Sequence, residues 1–123
     1  VVYDKFNGHC AYCGCELELK SMQVDHIFPQ AKNHWVGSEK MQQFTDVKIP
    51  NDINDISNLN PACRACNYEK RDNNLETFRE NLLHKIELLN KVFNYKIVKK
   101  FSLIQETEQP IKFYFEQLKE ITK

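Results

Sequence analysis

Two C-x-x-C pairs, Cys10/Cys13 and Cys63/Cys66, constrain what this chain can fold into more than any other feature. Paired cysteines at this spacing, outside a secreted disulfide scaffold, point to a metal site. Zn²⁺ takes four soft ligands in a tetrahedron, and two knuckles of two thiolates supply them. The competing reading is a pair of redox-active or free thiols. A thioredoxin-like C-x-x-C opens a helix inside a βαβ unit, and the sequence shows no such unit. Gly14 directly after Cys13 suits the tight turn that aims backbone N–H groups at the sulfurs. Cys15, the fifth cysteine, is expected to be a free thiol, with replacement of Cys13 as a ligand as the alternative.

The ion would gather a small domain. The chain has 123 residues and a mass of 14.6 kDa, which fits one domain over residues 1–123. Apolar residues make up 41% and charged residues 28%, as in ordinary globular proteins. No apolar run reaches the length of a membrane span, and no signal-like stretch follows Val1, so neither a membrane nor secretion is expected. Seventeen basic residues against 17 acidic ones exclude a simple polycation. The balance is uneven, however: residues 1–60 carry 5 Lys against 8 acids, and residues 61–123 carry 12 Lys and Arg against 9. A polyanion would meet the second half first.

Periodicity places the elements. Residues 1–6 read as the end of a short helix stopped near Gly8. Residues 16–19 and 23–28 alternate weakly and read as two strands joined by a turn at 20–22, with Pro29 ending the second. Residues 30–57 are polar loop composition, with a short helix around 38–44. Residues 58–62 form a short strand or loop before the second knuckle, and a helix opens at Cys66. Asn73 and Glu76 match a capping box for a long helix whose stripe Leu75, Phe78, Leu82, Ile86, Leu89 and Phe93 reads as core. A shorter helix follows over 95–101. Residues 111–115 alternate as in a strand, while Leu118 and Ile121 continue as in a helix, and both readings stay open.

The chemistry lies between and just after the knuckles. A shared ion would bring Asp25, His26 and Asn67 to one small region, with Asn58 beside them. Asp25 offers a carboxylate and Asn67 an amide oxygen, both hard ligands suited to Mg²⁺ or Mn²⁺. His26 has the side chain best able to take a proton from water near neutral pH. A general base beside an ion that polarises phosphate describes a phosphodiester hydrolase. An isolated Asp-His pair is usually structural, and only its position between two knuckles gives this one weight. Strand alternation raises a tension, since adjacent Asp25 and His26 would point to opposite faces.

Taken together, Cys10-x-x-Cys13, then Val24-Asp25-His26-Ile27-x-Pro29, then Asn58-Leu59-x-x-x-Cys63-x-x-Cys66-Asn67-x-x-Lys70 resembles the HNH (His-Asn-His) endonucleases. The sequence is similar to small stand-alone bacterial and phage members over most of its length. The resemblance implies an α+β fold: a small ββα-metal (treble-clef-like) domain with a four-cysteine structural zinc, a core over 8–72 and a helical C-terminal extension over 73–123. It implies His26 as general base and Asn58 as the residue that holds the loop and orients the base. Asp25 and Asn67 would hold the catalytic Mg²⁺ or Mn²⁺, and Cys10, Cys13, Cys63 and Cys66 the structural zinc. Lys70 and Arg71 would contact nucleic acid. Asn67 stands where the family often has His, which makes this an HNN variant. The usual Gly-Gly after the Val-Asp-His-Ile stretch is replaced by Lys32-Asn33-His34-Trp35. The implied partner is DNA, most readily double-stranded, in the cytoplasm of a bacterial or phage-infected cell. One site cuts one strand, so a double-strand cut needs a homodimer or two visits. The rival class is a non-catalytic zinc module that binds nucleic acid or protein. It would explain the four thiolates but would not require Asp25, His26 and Asn67 in register.

Overall fold

The computed structural model describes residues 1–36, 38–44, 52–107 and 109–121, without the side chains of 31, 33 and 42–44. Residues 37 and 45–51 of the 30–57 loop thus lie outside the described residues. Two strands, β1 (Gln23–His26) and β2 (Leu59–Ala62), pair antiparallel with Asp25 opposite Asn60 and His26 opposite Leu59. The helices are α1 (Glu39–Phe44), α2 (Arg64–Lys70), α3 (Leu75–Leu89), α4 (Phe93–Lys100) and α5 (Tyr114–Ile121). Mixed helix around a small two-stranded sheet is the observed architecture. The chain divides into two compact units, Val1–Leu75 with Lys112–Lys123, and Glu76–Ile111. The tail from Lys112 therefore belongs with the first unit, although the sequence grouped 73–123 as one extension.

The expected hairpin of 16–19 with 23–28 does not form. Residue 16 bridges back to His9, Leu17 N–H donates to the Gly8 carbonyl at 2.7 Å, and the chain then turns, with Ser21 and Met22 N–H both bonded to the Glu18 carbonyl. Residues 16–17 spend their backbone closing the knuckle loop, and β1 finds its partner in a segment more than thirty residues on. Pro61 sits in β2 opposite Val24, where its missing N–H costs nothing at an edge. Its carbonyl accepts from Ala11 N–H at 2.8 Å, so β2 also holds the first knuckle.

The tail completes that layer. Tyr114 and Phe115 N–H bond to the carbonyls of Tyr12 and Ala11 at 3.0 and 2.9 Å. This anchors the start of α5 and decides for a helix over a strand from Tyr114 onward. Phe113 lies edge-on to Tyr12 with centroids 5.2 Å apart, and Phe115 packs beside both. These rings, with Phe28, Cys10 and Ala11, are the buried core of the first unit.

In the second unit α4 spans Phe93–Lys100, two residues ahead of the expected start. Helix α3 begins at Leu75, so Asn74 rather than Asn73 precedes it. Its stripe is only partly core. Leu75 and Phe78 are buried, whereas Ile86, Leu89 and Phe93 stand exposed. Helical periodicity marks a face that is apolar, not one that is covered.

Gly14 has φ +78°, and a Cβ there would stand 2.9 Å from the Tyr114 ring. Gly14→Ala should therefore destabilise the fold by ~2 kcal/mol or more, since left-handed backbone alone costs roughly 1–2 kcal/mol outside glycine. A urea midpoint unchanged from wild type would contradict this.

Candidate functional site

The two knuckles converge. The sulfurs of Cys10, Cys13, Cys63 and Cys66 all lie within 4.8 Å of one another, and Cys13 Sγ stands 3.9 Å from Cys63 Sγ across 50 residues of sequence. Zinc–sulfur bonds of about 2.3 Å in a tetrahedron separate sulfurs by about 3.8 Å, so the cluster has the dimensions for such an ion. Tyr12 N–H points at Cys10 Sγ and Cys66 N–H at Cys63 Sγ, each at 3.4 Å. The second contact is also the N-cap of α2, so one sulfur serves both the cluster and the helix start. The Cys10 thiol is held down to about 4, chiefly by its hydrogen bond with Cys66. A pocket that favours thiolate at one corner suits a soft cation. Cys15 is exposed beside the cluster, and partial desolvation together with the neighbouring Cys13 sulfur pushes its thiol up to about 12.

On β1, alternation sends Gln23 and Asp25 to one face and His26 to the other. Helix α2 covers the first face and meets it with residues three apart, which lie on one helix side. Asn67 Nδ2 donates to Gln23 Oε1 at 2.6 Å. Lys70 Nζ donates to Asp25 Oδ1 at 3.3 Å and to the carbonyls of His26 and Ile27 at 3.1 and 3.4 Å, and it lies 3.3 Å from Asp25 Oδ2. The Tyr12 hydroxyl donates to Asp25 Oδ2 and accepts from Asn60 Nδ2 at 3.3 Å. Asp25 is 4% exposed and Lys70 0%. Burial pushes the Asp25 carboxyl up, against the pull of Lys70, and pushes the Lys70 ammonium down, against the pull of Asp25.

His26 is half-buried on the opposite face, with Nε2 3.0 Å from Asn54 Oδ1. Asn54 N–H is itself bonded to Asp52 Oδ1 at 3.0 Å, which sets the turn. Asn58 is fully buried. Its Oδ1 accepts from Phe28 N–H at 2.7 Å, and its Nδ2 donates to the Phe28 and Ile53 carbonyls at 3.0 and 2.8 Å. Asn58 thus ties the end of β1 to the loop that carries Asn54.

The structure brings together Asp25 with Lys70, Asn67 with Gln23, and the four cysteines. It does not bond Asp25 to Asn67. Lys70 is spent on Asp25 and two carbonyls, so it has no exposed ammonium for a phosphate, which corrects the expected nucleic-acid contact. Arg71 is exposed. Sequence reasoning missed Asn54, Tyr12 and Asn60. Asn54 lay in a run of Asn and Asp that reads only as loop, and Tyr12 sits inside the first knuckle, where spacing draws attention to the cysteines alone.

The Asn67 amide oxygen has no partner among the described residues, and Asn67 lines a cleft of ≈ 680 Å³ together with Gln23, Arg64, Ala65 and Tyr68. Over 71 residues the chain is 38% identical to the "SPbeta prophage-derived putative HNH endonuclease YoqL" of Bacillus subtilis (strain 168). The match covers 56% of this chain and 26% of that relative, so the chain spans about a quarter of the relative's length. No family model matches, and neither does any solved structure. No helix among the described residues is long and apolar enough to cross a membrane.

Lys70→Met should strand the Asp25 carboxylate and cost about 3–5 kcal/mol, whereas the double variant Lys70→Met/Asp25→Asn should recover a large part of that loss. Equilibrium denaturation of the four proteins of this cycle decides it, and strict additivity would refute the coupling.

Proposed function

We propose that the chain carries an HNH domain, a metal-dependent endonuclease that hydrolyses phosphodiester bonds in DNA. The observation that carries the reading is the contact between His26 and Asn54 on the uncovered face of β1. With Nε2–H donating to the Asn54 oxygen, the His26 Nδ1 lone pair is left to accept a proton. A water that loses its proton to Nδ1 attacks phosphorus in line, the bond to the 3′ oxygen breaks, and that oxygen takes a proton from solvent. Asn54 sets the ring's tautomer and angle, and Asn58 supports the loop on which Asn54 sits. The relative's name supports the same reaction class.

Two cation sites of different kind support this reading. Four thiolates make a closed site, which suits a structural Zn²⁺ that joins distant segments of a small ββα-metal, treble-clef-like fold. Asp25 and Asn67 offer hard oxygens for Mg²⁺ or Mn²⁺. The Lys70 ammonium now holds the buried Asp25 carboxylate, so an ion bound by Asp25 and Asn67 would have to take its place. An ion held there would supply charge neutralisation for the phosphate and the leaving oxygen. Duplex DNA in the cytoplasm of a bacterial or phage-infected cell is the proposed substrate, with two copies or two visits needed to cut both strands.

His26→Ala should lower plasmid nicking by about 10²–10⁴ while leaving the melting temperature unchanged. Nicking at the wild-type rate would remove His26 from the mechanism. Brief EDTA treatment should abolish nicking, with one zinc per chain retained by elemental analysis, and Mg²⁺ or Mn²⁺ should restore it. Full activity after exhaustive removal of both ions, or restoration by zinc alone, would overturn the two-site assignment.

A further inference from the structure

Helix α2 is pinned on its inner side and bare on its outer side. Cys63 and Cys66 fasten its start to the sulfur cluster, and Lys70 fastens its end to Asp25. The side chains between these anchors include Arg64, exposed, and Tyr68, 69% exposed, and both line the same cleft as Asn67. Arg71 follows in left-handed backbone at φ 55°, which sets its guanidinium carbon 5.7 Å from the Tyr68 ring centre. Among the described residues neither Arg64 nor Arg71 has an acidic partner, and nearby Asp72 faces Lys32 at 3.8 Å.

We propose that Tyr68 and Arg64 form a subsite for an unpaired nucleotide of the DNA strand. The reading rests on the proposed nuclease function and extends it. Arg71 covers one face of the Tyr68 ring and leaves the other for a base. A base inside a duplex is already stacked on its neighbours, so the ring selects one that is frayed, flanks a gap or lies in single strand. Arg64, one helical turn back at spacing i, i+4, takes the phosphate of that nucleotide as a charge-assisted contact. The rigid mounting of α2 matters, because a ring and a guanidinium fixed before binding lose little freedom when the strand arrives. Both groups share the cleft with Asn67.

The test is fluorescence anisotropy with the full chain and labelled DNA, without added divalent cation. Single strand, gapped duplex and fully paired duplex are compared. Tyr68→Ala should bind single strand and gapped duplex about tenfold more weakly and paired duplex nearly as wild type does. Tyr68→Phe should restore binding, since the ring and not the hydroxyl stacks. Arg64→Ala should weaken all three and flatten the salt dependence by about one phosphate contact, while Tyr68→Ala leaves the slope unchanged. Melting temperatures should not move, because both side chains are exposed. The subsite is overturned if Tyr68→Ala binds single strand as tightly as wild type, or loses equal affinity for paired duplex. A wild-type chain that shows these binding differences but never nicks DNA keeps the subsite and overturns the nuclease. Nicking by wild type with unaltered binding by both variants does the reverse.

Discussion

One buried ion pair organises the first unit. Lys70 has its ammonium among the Asp25 carboxylate and the carbonyls of His26 and Ile27, out of reach of water. A charge in that place is tolerable only with an opposite charge and further acceptors, and all are provided by the last two residues of β1 and by Ile27 just after it. The pair therefore forces α2 against one face of the strand and turns Asp25 inward. Because side chains alternate along a strand, turning Asp25 inward turns His26 outward. The residue proposed as base owes its exposure to a lysine on the other face.

The sulfur cluster acts on the same elements from the other end. Cys63 is at once a cluster corner and the cap of α2, so the position of the helix along β1 is set where it begins and again where it ends. Between these points the helix has no freedom to slide, and its register decides which of its residues face Gln23 and which face Asp25. Tyr12 links the two anchors. It follows Cys10 in the first knuckle, donates to Asp25, and packs against Phe113 and Phe115 from the chain's far end. Closing the knuckles, burying the ion pair and docking the tail are one packing event.

Asn58 shows how a polar core residue can serve a surface site. It makes three hydrogen bonds while fully buried, two of them to Phe28 just past β1 and one to Ile53 in the loop. An alanine there would orphan a buried N–H and two carbonyls. The loop that reaches over His26 is thus held from beneath, and Asn54 can meet the imidazole without being buried itself.

The sequence by itself determined the four cysteines as one cluster, because spacing dictates which sulfurs can share an ion. It determined the strand character of 23–26, the long helix after Leu75 and the conflict between neighbouring Asp25 and His26. It did not determine that residues 16–17 close back on Gly8 and His9, since weak alternation is satisfied by any partner with free backbone. Only the tertiary structure decided that β1 pairs with β2, that Lys70 neutralises Asp25, and that Asn54 is the residue at His26. Each is a contact between segments distant in the chain, carried by residue types that read locally as loop, solvated helix or turn. Lys70 and Arg71 look alike as neighbouring basic residues. Their fates differ because one helical face lies against a buried carboxylate and the next residue lies past the helix end, in water.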